Sequence, residues 1–337
     1  MFDFCGVFKG HNGVELRKKL LAELNFTLVR VFDTNEHEQE KDVCLVKDSA
    51  GEELVLRVGE RRPINIYPSG FHGKHIVFPK LVQTSIKPCY EIEEYIPGTM
   101  VEDADAGTTK EHIIRPDILT RLFSAFWEFQ EIFASVSLEP KPSKYEKHLI
   151  PALTLLDKTR KTVVNDMVRE HLSFFQDTSY PSKWKFSDDN LILMDDGRVG
   201  LVDNANIGLR FWGYDIGWLY WSRWFRLTIH EWQNTEVHIK LLENFFEAWW
   251  QSRPSSLSLT HDKFMLLAHL GLLTRLIGAL YDIAENISHT KCIDTKEKRD
   301  AFISFIITIL DWNIGAITTV NNNTVIPHLS SPYRGGK

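Results

Sequence analysis

Asn190 and Asp203 stand thirteen positions apart with a hydrophobic segment between them. A side-chain amide oxygen beside a carboxylate makes a hard-oxygen pair suited to Mg²⁺, which normally completes its octahedron with water and nucleotide phosphates. The intervening residues read Leu191-Ile192-Leu193-Met194, then the turn Asp195-Asp196-Gly197-Arg198, then Val199-Gly200-Leu201-Val202. An Asp-Gly pair between short apolar runs predicts a β-hairpin, so Asn190 enters its first strand and Asp203 leaves its second. In such a ribbon the two ends lie side by side. An ordinary exposed hairpin, with Asn as a cap and Asp as a turn residue, has the same composition. The elements on either side of the pair must decide between the two.

Those elements begin with strand-like runs at Phe26 to Phe32 and Asp42 to Lys47, followed across the turn Ser49-Ala50-Gly51 by Glu52 to Val58. Ile76 to Val82 and Tyr90 to Ile96 predict two more strands, the second ending at Pro97-Gly98. Apart from the hairpin, the rest is helical in character. Asp117 to Ser135 carries Ile118, Leu119, Leu122, Phe123, Phe126 and Phe129 at helical spacing, with Pro116 placed to start the helix. Further helices are expected over Ile150 to Ser173, Tyr214 to Arg226, His238 to Gln251, Asp262 to Asn286 and Lys298 to Ile317. Five strands followed mostly by helices is an α+β arrangement with separate lobes, and 337 residues suffice for two.

Asn190, the hairpin, Asp203, and then Asp215 within Gly213-Tyr214-Asp215-Ile216-Gly217-Trp218-Leu219 resemble the aminoglycoside phosphotransferase and choline kinase-like branch of the protein kinase-like fold. The resemblance covers most of the chain. It implies a two-lobed α+β fold, with a small antiparallel-sheet N-lobe over 1–97, a larger helical C-lobe carrying the catalytic hairpin over 98–320, and a loosely ordered tail over 321–337. It further implies ATP or GTP and Mg²⁺ as cofactors, with Asn190 and Asp203 as metal ligands. The adenine would bond the backbone of Glu94, Tyr95 and Ile96. Arg57 would stand at the place of the phosphate-binding lysine, and Asp215 would brace the catalytic loop by bonding its backbone. The acceptor would be a hydroxyl of a small molecule.

Three parts depart from that pattern. The turn Asp33 to Lys41 holds no glycine and four carboxylates, so it neither approaches phosphates by backbone nor attracts them by charge. Arg57 replaces a compact ammonium with a planar fork, and it falls on the strand face opposite Leu54, Leu56 and Val58. Arg61 to Lys74 contains no acidic residue to pair with it. The family's catalytic Asp, five positions before the metal-binding Asn, corresponds in an ungapped register to Lys185, and its His to Lys183. If the loop is three residues shorter, Phe186-Ser187-Asp188 replaces His-Gly-Asp and Asp188 is the base, with Asp189 beside it. Two functions follow: a phosphotransferase using Asp188, or a catalytically degenerate kinase-like protein that binds nucleotide or a protein partner.

A formal charge of -6 argues against general nucleic-acid binding and would tolerate a cationic acceptor. Cys5, Cys44, Cys89 and Cys292 form no Cys-x-x-Cys pair and predict buried thiols in a reducing cytoplasm. The N-terminus shows no secretory signal. Phe264 to Ala284 is the most membrane-like stretch, yet His269, Arg275 and Asp282 make it a buried bundle helix, and no membrane partner is expected. Tyr214, Trp218, Trp221 and Phe225 at helical spacing predict core packing rather than an aromatic cage for a quaternary ammonium.

Overall fold

The computed structural model describes residues 13–32, 42–58, 68–86, 88–104, 115–141, 143–204, 206–219, 224–225, 227–287 and 293–323. The acidic turn 33–41, Cys5, Cys292, Trp221 and the tail from 324 onward lie outside the described residues. The chain forms two compact units, Met1–Gly98 with Met194–Ala205, and Thr99–Leu193 with Asn206–Lys337. The sequence reading keeps the whole hairpin in the second lobe. In the structure its turn and the strand that follows belong to the first unit.

The first unit is built on a five-stranded antiparallel sheet. Its strands are β1 (Thr27–Phe32), β2 (Asp42–Lys47), β3 (Glu53–Val58), β5 (Leu81–Ile86) and β6 (Cys89–Glu94), in the order β1-β2-β3-β6-β5. A helix that the sequence reading passed over, α1 (Gly13–Glu23), precedes them. Its Leu20 packs into a core with Cys44, Val46, Leu54, Leu56, Val58, Tyr90 and Ile92. Because side chains alternate along a strand, covering that face sends Val55, Arg57, Glu91 and Glu93 to the other. The single strand expected over Ile76 to Val82 is divided into β4 (Ile76–Val77) and β5. Pro79 between them has no N–H to continue a ladder, and its carbonyl instead accepts from Gly70. The short β4 runs parallel to β10 (Val199–Leu201).

The second unit is helical around two small ribbons. Strand β7 (Thr99–Met100) pairs with β9 (Leu191–Leu193), and β8 (Tyr180–Ser182) pairs with β11 (Gly208–Arg210). The helix α2 (Val101–Ala104) follows β7, and α3 (Pro116–Phe133) starts at Pro116 and buries Leu122, Phe123, Phe126 and Phe129. The helix expected over Ile150 to Ser173 is three: α4 (Tyr145–Leu153), α5 (Lys158–Glu170) and α6 (Leu172–Gln176). The break is made by Asp157, whose extended backbone and side-chain bond to the Arg160 amide cap a new helix. A cap of this kind contributes about 1 kcal/mol. Helices Thr235–Gln251, His261–Ala284 and Lys296–Asn323 complete the unit.

Among the described residues two helices are long and apolar enough to cross a membrane, His261–Ala284 and Lys296–Val320, and the apolar window of the first is 89% buried inside the protein. These helices are keyed to one another by a buried polar pair. Nδ1 of His269 lies 2.7 Å from Oδ1 of Asn313, while the Asn313 amide donates to the His269 carbonyl at 3.1 Å. Burial pushes the His269 imidazole down to about 4. The unfolded chain therefore takes up a proton near pH 6.5 that the fold refuses until about pH 4. The stability this neutral histidine supports is complete above pH 6.5 and is lost as pH falls toward 4, with a slope of at most about 1.4 kcal/mol per pH unit. His148 is also pushed down to about 4 by burial, and adds a smaller, solvent-screened share in the same direction. Urea melts at a series of pH values check this: the wild-type slope between pH 6.5 and 4 should be shallower in His269→Gln.

Candidate functional site

Lys183 to Asn190 connect β8 to β9 within the second unit, and the loop is fixed at both ends and in its middle. At its start Gln130 of α3 donates to the Pro181 carbonyl at 2.7 Å. The Lys183 N–H then donates to Oδ2 of Asp215 at 2.9 Å. Phe186, 1% exposed, packs edge-on against Phe126 of α3 with ring centroids 5.7 Å apart. At the far end Asp188–Asn190 form one 3₁₀ turn, closed by the Asn190 N–H on the Ser187 carbonyl at 2.9 Å.

Asp215 is fully buried, and burial raises its carboxyl pKa, against the opposing pull of Arg210 and of the Lys183 amide. The turn that presents it is pressed onto helix His261–Ala284. Gly213 sits at φ 83 in the left-handed region, and a Cβ on Gly271 would lie 2.5 Å from the Gly213 carbonyl oxygen. A Cβ on Gly217 would meet Cγ of Arg275 at 2.3 Å, so the glycine leaves a channel for that side chain. The guanidinium of Arg275 ends over the rings of Trp218 at 4.3 Å and Tyr214 at 4.9 Å. Arg210 lies over the other side of this group, 5.1 Å from the Tyr214 ring, and donates to the Asn206 carbonyl and to Ser182. The expected helix over Tyr214 to Arg226 is a run of turns over 212–217 that is helical at 218, 219 and 224, and 220–223 and 226 lie outside the described residues.

Asn190 and Asp188 fall together on the 3₁₀ turn, both buried, whereas Asp203 belongs to the first unit. The Asn190 amide nitrogen donates to Ser187 Oγ at 3.2 Å, which leaves its oxygen outside that bond. Asp203 adopts φ 55, a left-handed conformation that a short polar side chain tolerates best. As donor types, an amide oxygen and a carboxylate suit Mg²⁺ rather than a soft metal. Among the described residues no cluster of three or more His, Cys, Asp or Glu could hold a metal.

Trp184, within the loop, has φ 78, a conformation that favours glycine. Lys183 is fully buried and its ammonium donates to the Lys185 carbonyl at 3.1 Å. Asp188 is 1% exposed, at the start of the 3₁₀ turn.

In the first unit Arg57 has a partner that the sequence reading did not find. Its Nε donates to Oε2 of Glu93 at 3.0 Å, with side chains 12% and 2% exposed. The alternation of β6 carried the signal: Tyr90 and Ile92 face the core, so Glu91 and Glu93 must share the face of Arg57. The ladder of β3 and β6 ends at Glu94, whose N–H is already given to the Lys80 carbonyl at 2.8 Å. Tyr95 and Ile96 lie past that ladder.

No family model and no curated protein matches the chain. Solved structures do. An amicoumacin kinase in complex with AMP-PNP, Ca²⁺ and Ami is similar at a TM-score of 0.54 and 15% identity, over 89% of this chain and 93% of that one. A putative fructosamine-3-kinase from Thermobifida fusca is similar at a TM-score of 0.49 and 12% identity, over 92% and 100%. The choline kinase LicA from Streptococcus pneumoniae follows at 0.45 and 10%, over 91% and 98%. The chain has the two-lobed protein kinase-like fold, with an antiparallel sheet in the small lobe and a helical large lobe.

Removing the Asp215 carboxylate strips the Lys183 amide of its buried acceptor. Asp215→Ala is expected to destabilise by about 1–3 kcal/mol, the range for orphaning a buried donor. Hydrogen exchange at the Lys183 amide should accelerate by more than the exchange of amides in helix Thr235–Gln251. Equal acceleration across both would mean that the bond has no local role.

Proposed function

We propose that this chain is an ATP- and Mg²⁺-dependent phosphotransferase acting on a hydroxyl of a small molecule. The observation that supports it most is the loop from Lys183 to Asn190, braced at Lys183 by Asp215 and with the Asn190 amide nitrogen fixed on Ser187. The kinase-like fold is shared with an enzyme solved with AMP-PNP and Ca²⁺. In this reading Asn190 and Asp203 hold the metal, and bound Mg²⁺ neutralises charge on the transferring phosphoryl group. Glu94, Tyr95 and Ile96 offer backbone groups to the base of the nucleotide, with the Glu94 carbonyl rather than its N–H as that residue's contribution. Arg57 faces the phosphates. The acceptor oxygen attacks the γ-phosphorus, the bond to ADP breaks, and the hydroxyl proton passes to the carboxylate of Asp188. GTP is the alternative donor, and the cytoplasm the expected setting.

One observation favours a second reading, a degenerate kinase-like protein that binds a nucleotide or a protein partner. Arg57 is committed to Glu93, and Glu91 stands directly across the ladder from it. One guanidinium between two nearly buried carboxylates makes this face a poor anion receptor, and Lys185 rather than a carboxylate occupies the ungapped base position.

Thermal-shift titrations with ATP and GTP, with and without Mg²⁺, separate the two. The enzyme reading expects a Mg²⁺-dependent rise in melting temperature that Asp203→Ala abolishes. It also expects ADP release with a hydroxylated acceptor to fall by about a hundred- to ten-thousand-fold in Asp188→Asn. Undiminished turnover in that variant removes Asp188 from the role of base. The degenerate reading expects either no shift in the wild type or a shift without ADP release to any acceptor; in the first case, a shift that emerges in Glu93→Gln would identify the ion pair as the obstacle.

A further inference from the structure

Among the described residues two arginines are buried, both in the second unit, and they are partnered differently. Arg210, 5% exposed, donates to the Asn206 carbonyl and to Ser182. Arg275 is 6% exposed, and among the described residues its guanidinium makes neither an ion pair nor a hydrogen bond. Its Nε is wholly enclosed without an acceptor, while the two terminal nitrogens, equally without one, stay within reach of solvent.

Packing alone holds this side chain in place. Its stem runs through the channel left by Gly217, where a Cβ would meet Cγ of Arg275 at 2.3 Å. Its head lies over the rings of Trp218 at 4.3 Å and Tyr214 at 4.9 Å. A guanidinium carries five N–H donors, and taking it out of water is costly unless acceptors replace the water. Attraction to ring faces offsets part of that cost but supplies no oxygen.

The acids of this region do not supply one either. Asp215 accepts from the Lys183 amide and from Ser182, and its charge is met by Arg210. Asp282, two turns on along the same helix, makes no ion pair with Arg275 and acts on His148 of α4, whose ring stacks on Tyr281 with centroids 4.2 Å apart. The other groups that feel the charge of Arg275 are His148 itself, which burial keeps neutral, and Arg210 across the Tyr214 ring. The unmet demand is therefore local: N–H donors on a fixed cation without an oxygen to receive them.

We infer that Arg275 receives a ligand's anion, a carboxylate or phosphate group of a small molecule, bound through the terminal nitrogens with Trp218 and Tyr214 as the walls of the seat. Paired N–H bonds from a planar fork match the oxygens of either group, and a stem already immobilised loses little freedom on binding. The inference is independent of the phosphotransferase reading, since it uses neither the metal pair nor Asp188.

The test uses the full chain with isotopically labelled arginine. The Nε–H resonance of Arg275 is assigned by its absence from Arg275→Lys, which keeps a cation over both rings and removes the fork. Orthophosphate, acetate and chloride are titrated at constant ionic strength. Orthophosphate and acetate should each move that resonance along a saturable curve, and chloride should not; the tighter of the two tells a phosphate ligand from a carboxylate one. By thermal shift, the affinity for the tighter anion should fall about tenfold in Arg275→Lys. An arginine with a structural role alone would give a wild-type resonance that no anion moves and a variant melting temperature lowered equally with and without anion, and that result overturns the inference. A response to chloride equal to that of phosphate overturns it too, because it marks screening rather than a site. If Arg275→Lys does not fold, the wild-type resonance, then assigned from its neighbours, decides alone.

Discussion

The carboxylate of Asp215 is the constraint on which the second unit is arranged. A buried acid is costly to ionise, and its cost is offset only by donors held at fixed positions. Here those donors are the Lys183 amide and the electrostatic presence of Arg210. To hold them, the turn at Asp215 must lie flat on helix His261–Ala284, which the glycines at 213, 217 and 271 permit by removing three side chains. The aromatic rings on either side of the turn then find cations rather than carboxylates, Arg275 on Trp218 and Tyr214 and Arg210 on Tyr214. Helix, turn and loop are one packing problem centred on the Asp215 carboxylate, which accepts from the Lys183 amide and the Ser182 side chain. The loop residues inherit their positions from it.

The first unit solves a different problem. A five-stranded sheet with α1 on one face has to place Arg57, Glu91 and Glu93 on the other, and it pairs Arg57 with Glu93 diagonally rather than with Glu91 directly opposite. An ion pair this buried is weak evidence for stability, since desolvation offsets much of the attraction. Its consequence is chemical. A guanidinium with a carboxylate on Nε still has its two terminal amino groups for a phosphate, whereas an ammonium so engaged would have less of its donor capacity left. An arginine at this position and the acid on the neighbouring strand are therefore compatible as a pair. Neither is readily understood alone.

Much of this was legible in the sequence where one local rule governed. The strands Asp42–Lys47 and Glu53–Val58 follow from alternation and a turn, α3 from Pro116 and its apolar spacing, and the turn at Asp195 to Gly197 from the Asp-Gly pair. What was not legible depended on competition between neighbours. Asp157 divides a continuous apolar pattern because its carboxylate satisfies the Arg160 amide, and Pro79 divides another by lacking a donor. The three-residue strands at Tyr180 and Gly208 are too short to show a period, and a glycine is required at 208 because Lys141 passes 2.8 Å from where a Cβ would be. The partner of Arg57 lies on a strand far along the chain, where pairing across the sheet rather than sequence proximity brings it.

The loop shows why spacing alone could not choose between Lys185 and Asp188. Both alignments preserve Asn190, and composition is silent on which residue turns the backbone. The backbone turns at Trp184, where a left-handed conformation at a bulky aromatic residue is costly and persists only where the surroundings overdetermine it. At Trp184 the surroundings are its amide on Ser182 Oγ at 3.0 Å, its ring on Trp218, and the Asp215 bond one residue earlier. The same turn that seats Trp184 sets the Lys185 ammonium against the indole and buries that of Lys183. Two lysines two residues apart thus have different work, one closing the loop on itself and the other facing outward from it, and the strained tryptophan between them is what keeps those roles distinct.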